Sequence, residues 1–231
     1  TKLSTKLPVV VIVHGSSGMG ANGDYWSNTL LARGYATFTL DSFTGRGLKV
    51  VGPNQALLGR LNMIIDTYRI LDILKNNPLV DPNKIVLMGF SRGGQATLFA
   101  SVKRFNQLWN QSGLEYAAHI PFYADCVTQY IDDTITTGKP IRLHHGIADD
   151  YNPITPCKAY VERLKANQQN IELNEYPFGP HAFDSPIGKM PPVPSTNAQT
   201  VRNCKIKEES PGQLINQATG KLFQYSDACV E

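Results

Sequence analysis

Short apolar runs alternate with amphipathic stretches along the first 180 residues of the chain. Runs such as PVVVIV at residues 8–13 are too short for helices and are typical of strands that are buried on both faces of a parallel sheet. Such runs predict strands over residues 8–13, 35–40, 85–88, 116–123, 140–145 and 171–176. Apolar positions at helical spacing predict helices over residues 22–33, 55–76, 95–108 and 156–167. The alternation indicates an α/β fold, with a mostly parallel central sheet and helices on both faces.

The alternation fades from residue 186 onward, where prolines, polar turns and two cysteines dominate. A chain of 231 residues fits one domain with a sizeable core. We therefore expect a catalytic α/β domain over residues 1–185 and a C-terminal extension, residues 186–231, packed on the same domain.

The segment KIVLMGFSRGG, residues 84–94, carries the strongest chemical signal. An apolar run stops at Gly89 and continues as G-F-S-R-G, the G-x-S-x-G pattern of a nucleophile elbow. Such an elbow holds its serine on a strained strand-to-helix turn, and Gly89 and Gly93 lack the Cβ atoms that would block the bend. Ser91 is thus the candidate nucleophile, although the pattern also occurs by chance and needs supporting partners.

A nucleophilic serine requires a histidine that takes its proton and a carboxylate that orients the histidine. The strand at 140–145 runs into Asp149 and Asp150, and the loop after the last strand carries His181. The order Ser91, Asp, His181 is the order found in α/β-hydrolases. We expect Asp149 to be the triad acid and Asp150 to cap the next helix, although either carboxylate is a candidate for either role. The other histidines lie in or beside strands and are interpreted as structural; they are His14, His119, His144 and His145.

An oxyanion hole would combine the backbone N–H of Arg92 with an N–H from the loop after the first strand. Ser16 is the favoured donor there, since the glycines of this loop allow a close approach to substrate. Arg46, in a glycine-rich loop, and Arg60 are candidates for binding a substrate carboxylate, against the simpler interpretation that they are solvated.

Two interpretations compete with catalysis. The segment Gly18-x-Gly20-x-x-Gly23 with Asp41 matches a dinucleotide-binding fingerprint, but four residues separate it from the strand and it leaves the elbow unexplained. A hydrolase fold can also serve as a non-catalytic binding protein, because a fold alone does not establish activity.

The charge and the cysteine content bear on the possible binding partners and on the cellular compartment. The net charge is +3, and the Lys and Arg residues are scattered along the sequence without forming a basic face for nucleic acid. No stretch approaches the roughly 20 apolar residues of a membrane span. There is no signal peptide at Thr1, and we expect the chain as given to be soluble. The four cysteines fit no metal or redox motif, which leaves two disulfides or four buried thiols. Disulfides would indicate an exported protein, periplasmic or secreted.

From residue 8 to His181 the chain resembles the dienelactone hydrolase family of α/β-hydrolases. The motifs that carry the resemblance are PVVVIVHGSSG, LDSF followed by Arg46, VDPNKIVLMGFSRGG, HHGIADDYNP and GPHAF. It implies Ser91 as nucleophile, Asp149 as acid and His181 as base, with the amides of Ser16 and Arg92 binding the oxyanion.

The chain departs from the namesake enzymes, which use cysteine at the elbow and an acidic residue where this chain has Gly15. We therefore expect a serine-dependent carboxylic ester hydrolase that acts on a small ester or lactone, without metal or cofactor. The resemblance also places Cys126 and Cys157 on the rim that holds the active site. It favours the pair Cys126–Cys157 and leaves Cys204–Cys229 to hold the tail.

Overall fold

The computed structural model describes residues 6–186, 188 and 191–231, so parts of both expected segments, residues 1–5, 187, 189 and 190, lie outside the described residues. The strands are β1 (Leu7–Val13), β2 (Ala36–Leu40), β3 (Val80–Phe90), β4 (Ala118–Phe122), β5 (Thr128–Gln129), β6 (Ile141–Gly146), β7 (Ile171–Tyr176), β8 (Ile206–Ser210), β9 (Gln213–Asn216) and β10 (Lys221–Leu222). The α-helices are α1 (Ala21–Leu31), α2 (Asn62–Leu74), α3 (Arg92–Phe99), α4 (Lys103–Trp109) and α5 (Ile154–Ala166).

Six strands form the central sheet in the order β2-β1-β3-β4-β6-β7, and every neighbouring pair is parallel. Side chains of β1 alternate between two apolar cores. Val11 packs in the larger core with residues of α2, α3 and α5, whereas Ile12 packs in a second core against Trp26 and Leu30 of α1. The sheet is therefore covered on both faces, which confirms the predicted α/β architecture.

Two helix predictions were wrong at their boundaries. The helix predicted from residue 55 begins at Asn62, because the Asn54 side chain caps a 3-10 turn over Gln55–Leu57 and the chain extends at Leu58. The single helix predicted over 95–108 is broken into α3 and α4. Val102 adopts an extended conformation at the break and forms a β-bridge with Thr136.

The C-terminal residues form a second, smaller sheet with the order β10-β9-β8-β5. Its strand β5 comes from the loop after β4, so the tail pairs directly with the α/β body. Glu208, which is buried in β8, forms an ion pair with Arg104 and accepts a 3.0 Å hydrogen bond from the Ile131 amide. These contacts bind the tail to the body at one continuous surface.

The structure contains the disulfides Cys126–Cys157 and Cys204–Cys229, which is the pairing that the resemblance favoured. The first joins the loop after β4 to α5, and the second closes the C-terminal tail on itself. In the part of the chain that the structure describes, no helix has both the length and the apolar character needed to cross a bilayer.

His119 of β4 gives the fold a specific sensitivity to acid. Its side chain is buried, and burial lowers its pKa from 6.5 to about 4, so the folded protein holds it neutral. The unfolded chain binds a proton there near pH 6.5, and stability should therefore fall as the pH decreases from 6.5 toward 4. The loss attributable to this residue should be about 3 kcal/mol. Urea denaturation at several pH values, compared with His119→Phe, measures it; equal pH dependence in the two proteins would contradict the prediction.

Candidate active site

The chain reverses sharply between β3 and α3, and Ser91 occupies the turn with φ 53° and ψ −114°. This left-handed conformation is strained for a residue with a side chain. Helix α3 starts so close to the sheet that its first residues touch strand backbone. A Cβ on Gly93 would lie 2.3 Å from the Val13 carbonyl oxygen, and one on Gly94 would lie 2.3 Å from that of Phe122. The glycines thus permit the elbow, and Gly94 is a requirement that the motif analysis missed.

The three side chains that the sequence nominated meet at the ends of their strands. His181 Nε2 lies 3.0 Å from Ser91 Oγ, and His181 Nδ1 lies 2.8 Å from Asp149 Oδ2. The geometry is that of a hydroxyl donating to an imidazole whose second nitrogen donates to a carboxylate. The three residues come from loops that are far apart in sequence, so their convergence is a property of the sheet.

Asp149 is fixed by its own loop. Its side chain is fully buried, and its Oδ1 accepts hydrogen bonds from the amides of Tyr151 at 3.0 Å and Asn152 at 2.8 Å. Asp150 is exposed, and α5 begins after Pro153 without a side-chain cap. The expectation that Asp150 caps this helix was therefore wrong, because the turn is closed by Asp149 instead.

Aromatic rings hold His181 from two sides. The Tyr123 ring centroid lies 4.8 Å from that of His181, and the Tyr151 centroid lies 4.7 Å away. Neither tyrosine had a sequence signal beyond its place in a loop after a strand. Behind Asp149, the buried ring of His145 lies 3.6 Å from Oδ2, and burial lowers the His145 pKa, which favours its neutral form. His145 also contacts the Asn152 carbonyl at 2.8 Å, in keeping with the structural role expected for it.

The two residues nominated for the oxyanion lie at one small cavity. Ser16 and Arg92 both line it beside Ser91, and among the described residues neither amide donates a hydrogen bond to another group. The loop that carries Ser16 lies against the elbow, since a Cβ on Gly15 would be 3.4 Å from that of Ser91. Two free N–H groups next to a serine hydroxyl are the arrangement that binds a tetrahedral oxyanion.

The two candidate substrate arginines have different positions. Arg60 lines the cavity and forms a buried ion pair with Asp125. Arg46 is not among the cavity residues. Its guanidinium makes two 2.8 Å hydrogen bonds to Asp66 and a 2.7 Å bond to the Ser42 carbonyl. The substrate role expected for Arg46 is therefore not carried by this structure, because its donors are held by Asp66 and Ser42.

The residues of the dinucleotide fingerprint have local structural roles. Gly20 is the N-cap of α1 and Gly23 lies inside that helix. Asp41 Oδ1 accepts from the amides of Phe43 at 2.9 Å and Thr44 at 3.0 Å, which closes a turn. Gly20, Gly23 and Asp41 thus have structural roles that require no nucleotide.

The model of the dienelactone hydrolase family matches residues 1–205. The chain belongs to this family. The match extends beyond the segment on which the sequence resemblance was recognised, and it ends just before β8. The residues Ser91, Asp149 and His181, the loop that carries Ser16, and Cys204 therefore lie inside the family region, whereas strands β8, β9 and β10 lie outside it.

Individual relatives are distant. Over 107 residues the chain is 30% identical to acyl-protein thioesterase 1 of Emericella nidulans, an alignment that covers 46% of this chain and 44% of the relative. The chain thus spans less than half of that curated relative. Esterase 2 of Thermogutta terrifontis, in a structure phosphonylated by cyclosarin, has a TM-score of 0.64 at 16% identity, with 82% of this chain and 78% of that one covered. MGS-M1, an alpha/beta hydrolase from a Medee basin deep-sea metagenome library, has a TM-score of 0.56 at 20% identity, with coverages of 77% and 71%. These structural likenesses establish the α/β-hydrolase fold.

The backbone contact at Gly94 generates a stability prediction. Gly94→Ala would place a Cβ 2.3 Å from the Phe122 carbonyl oxygen, so α3 or β4 must shift. We expect the free energy of unfolding to fall by about 3 kcal/mol or more. Gly45→Ala is the matched control, since a Cβ there meets no atom within 4 Å; it should change stability by less than about 0.5 kcal/mol. Urea denaturation measures both, and equal stabilities of the two variants would refute the packing argument.

Proposed function

We propose that this member of the dienelactone hydrolase family is a serine-dependent carboxylic ester hydrolase that works through an acyl-enzyme on a small ester or lactone. The observation that carries the proposal is the position of His181, within 3.0 Å of Ser91 Oγ and 2.8 Å of Asp149 Oδ2. The two tyrosine rings against His181 add support, because they restrict the imidazole to this orientation.

The chemical steps follow from these contacts. His181 Nε2 accepts the Ser91 proton as Oγ attacks the acyl carbon, and Asp149 stabilises the imidazolium through Nδ1–H. The amides of Ser16 and Arg92 bind the oxyanion of the tetrahedral intermediate. Nε2–H then protonates the leaving alcohol, so that an acyl group remains on Ser91. Water, deprotonated by His181, attacks this acyl group; the bond between the acyl carbon and Ser91 Oγ breaks, Nε2–H returns its proton to Oγ, and the acid is released.

The relatives support this class of substrate. One is named as an acyl-protein thioesterase, and a structural neighbour is an esterase that cyclosarin phosphonylates. The chemistry proposed here uses side chains and backbone amides throughout, and it calls for no cofactor. The fingerprint that suggested dinucleotide binding is weak support, because Gly20, Gly23 and Asp41 have local structural roles. A non-catalytic binding role would leave the aligned hydroxyl, imidazole and carboxylate without a purpose.

We further propose that residues 186–231 are an extension of the same domain, and that the protein is exported. The pairing of β5 with β8 supports the first point, because the tail completes its sheet with a strand of the body. The two disulfides support the second, since such bonds persist in oxidising compartments.

Covalent labelling tests the nucleophile directly. A small fluorophosphonate should add one phosphonyl group to the folded protein, on Ser91, as seen by intact mass and peptide mapping. Ser91→Ala should abolish labelling and lower kcat on 4-nitrophenyl acetate by at least about 10,000-fold, because the remaining oxyanion donors supply only residual catalysis. His181→Ala should lose labelling as well. An adduct on another residue, or a substantial rate in Ser91→Ala, would remove the proposed mechanism.

A pair of neighbouring carboxylates tests the triad acid. Asp149→Asn should lower kcat by about 10,000-fold, since an amide cannot hold the imidazole in the same tautomer or stabilise its charge. Asp150→Asn makes the same chemical change one residue away on an exposed side chain, and it should keep the wild-type rate. Steady-state kinetics on one ester compare the two. A large loss in Asp150→Asn with activity retained in Asp149→Asn would reverse the assignment.

A further inference from the structure

Part of the cavity beside Ser91 is made by the C-terminal tail. Gln199, Thr200, Val201 and Tyr225 line it together with residues of the hydrolase body. The family match ends at residue 205, so Tyr225 is supplied by a segment outside the matched region. Of the four wall residues, only Tyr225 lies beyond the matched region, whereas Gln199, Thr200 and Val201 lie within it.

The tail is fastened to both sides of the site. On one side, the Gln199 amide donates to the Gly52 carbonyl at 2.9 Å, and the Gln55 amide donates to Gln199 Oε1 at 2.8 Å. On the other side, the Tyr151 hydroxyl donates to the Gln199 carbonyl at 2.6 Å, and Thr200 Oγ1 donates to the Tyr151 carbonyl at 2.8 Å. The tail segment at Gln199 thus connects the loop before α2 to the loop that carries Asp149.

Glu231 is hydrogen-bonded to the part of the tail that lines the cavity. Thr200 and Glu231 exchange backbone hydrogen bonds of 2.8 and 3.0 Å, and the disulfide Cys204–Cys229 joins the same two segments. The disulfide closes residues 204–229 into a covalent loop, and Tyr225 lies within this loop. Val201, Cys204, Tyr225 and Cys229 pack in one apolar cluster. Tyr225 is consequently held at the cavity by the disulfide and its cluster.

The cavity lies on the acyl side of the proposed reaction. Ser16 and Arg92, whose amides would bind the oxyanion, line it, whereas His181 is not among its lining residues. The leaving alcohol must lie next to His181 Nε2 to receive its proton. The group that enters the cavity is therefore the acyl chain.

The cavity has a volume of about 30 Å³. That is room for about two water molecules. We propose that the tail, with Tyr225 as its bulkiest element and Cys204–Cys229 as its clasp, limits the substrate to esters of short acyl chains. This inference rests on the proposed ester hydrolysis and names its acyl specificity.

The test compares kcat/KM on 4-nitrophenyl acetate, butyrate and hexanoate, which share one leaving group. For the wild-type protein we expect kcat/KM to fall by at least about 100-fold from acetate to hexanoate. Tyr225→Ala should reduce this difference to about tenfold or less, because it removes the ring that blocks the longer chain. A wild-type profile that is flat with chain length, or an unchanged difference in Tyr225→Ala, would overturn the proposal.

Two controls separate size from other effects. Tyr225→Phe keeps the ring and should keep the wild-type discrimination, and Leu222→Ala alters an exposed residue of the same tail and should do the same. Equal relaxation in Leu222→Ala would assign the effect to general loosening and overturn the role of Tyr225.

The double variant Cys204→Ser, Cys229→Ser tests the clasp and replaces Tyr225→Ala if the latter fails to fold. It should also relax the discrimination, whereas strict retention would overturn the clasp. The wild-type profile decides the size limit even if both variants unfold. Failure of the proposed function is a separate result: the wild-type protein would then hydrolyse no ester, or would do so without Ser91, and both proposals would fall.

Discussion

The candidate active site depends on the close approach of α3 to the backbone of the sheet. Side chains are excluded from three positions around Ser91, since a Cβ on Gly89, Gly93 or Gly94 would lie 2.2 to 2.3 Å from a carbonyl oxygen. This proximity forces Ser91 into a left-handed conformation, which costs about 1 to 3 kcal/mol and persists only because the packed sheet and helix determine it. In this conformation Ser91 Oγ lies 3.0 Å from His181 Nε2, and Arg92, the first residue of α3, lines the cavity beside it.

A second close contact brings Asp149 to His181. Strands β6 and β7 are parallel neighbours, and the loops that follow them carry Asp149 and His181. A Cβ on Gly146 would lie 2.0 Å from the Gly179 carbonyl oxygen, so the two loops touch directly after the strands end. The hydrogen bond between Asp149 and His181 follows from this contact, and the buried carboxylate gains the two amide donors of its own turn. The triad geometry is thus built from backbone contacts.

The sequence could predict what local pattern determines. Apolar runs located the six central strands, and glycine spacing with chain order located Ser91, Asp149 and His181. It could not locate effects of residues distant in the chain. In the 3-10 turn that precedes α2, the Gln55 amide donates to Gln199, a residue 144 positions away, and no local pattern signals this contact. Arg46 and Arg60 look alike in sequence, yet Asp66 holds the first at the surface, whereas Asp125 holds the second in the cavity. The small sheet of the tail was missed for a related reason: β5 has two residues, and its partner β8 is distant in the chain.

Gln55 connects the family fold to the tail. Its side-chain amide donates to Ser16 Oγ at 3.3 Å and to the Tyr151 hydroxyl at 3.1 Å, and its Oε1 accepts from the Arg92 guanidinium. Its backbone amide is bound by Gln199 of the tail. One residue therefore contacts both sources of the proposed oxyanion donors and the wall of the cavity. Because buried hydrogen-bond networks are costly to leave half satisfied, displacement of the tail would disturb the oxyanion loop as well as open the cavity. Under the proposed function, the limit on acyl size and the binding of the oxyanion would therefore be coupled through Gln55.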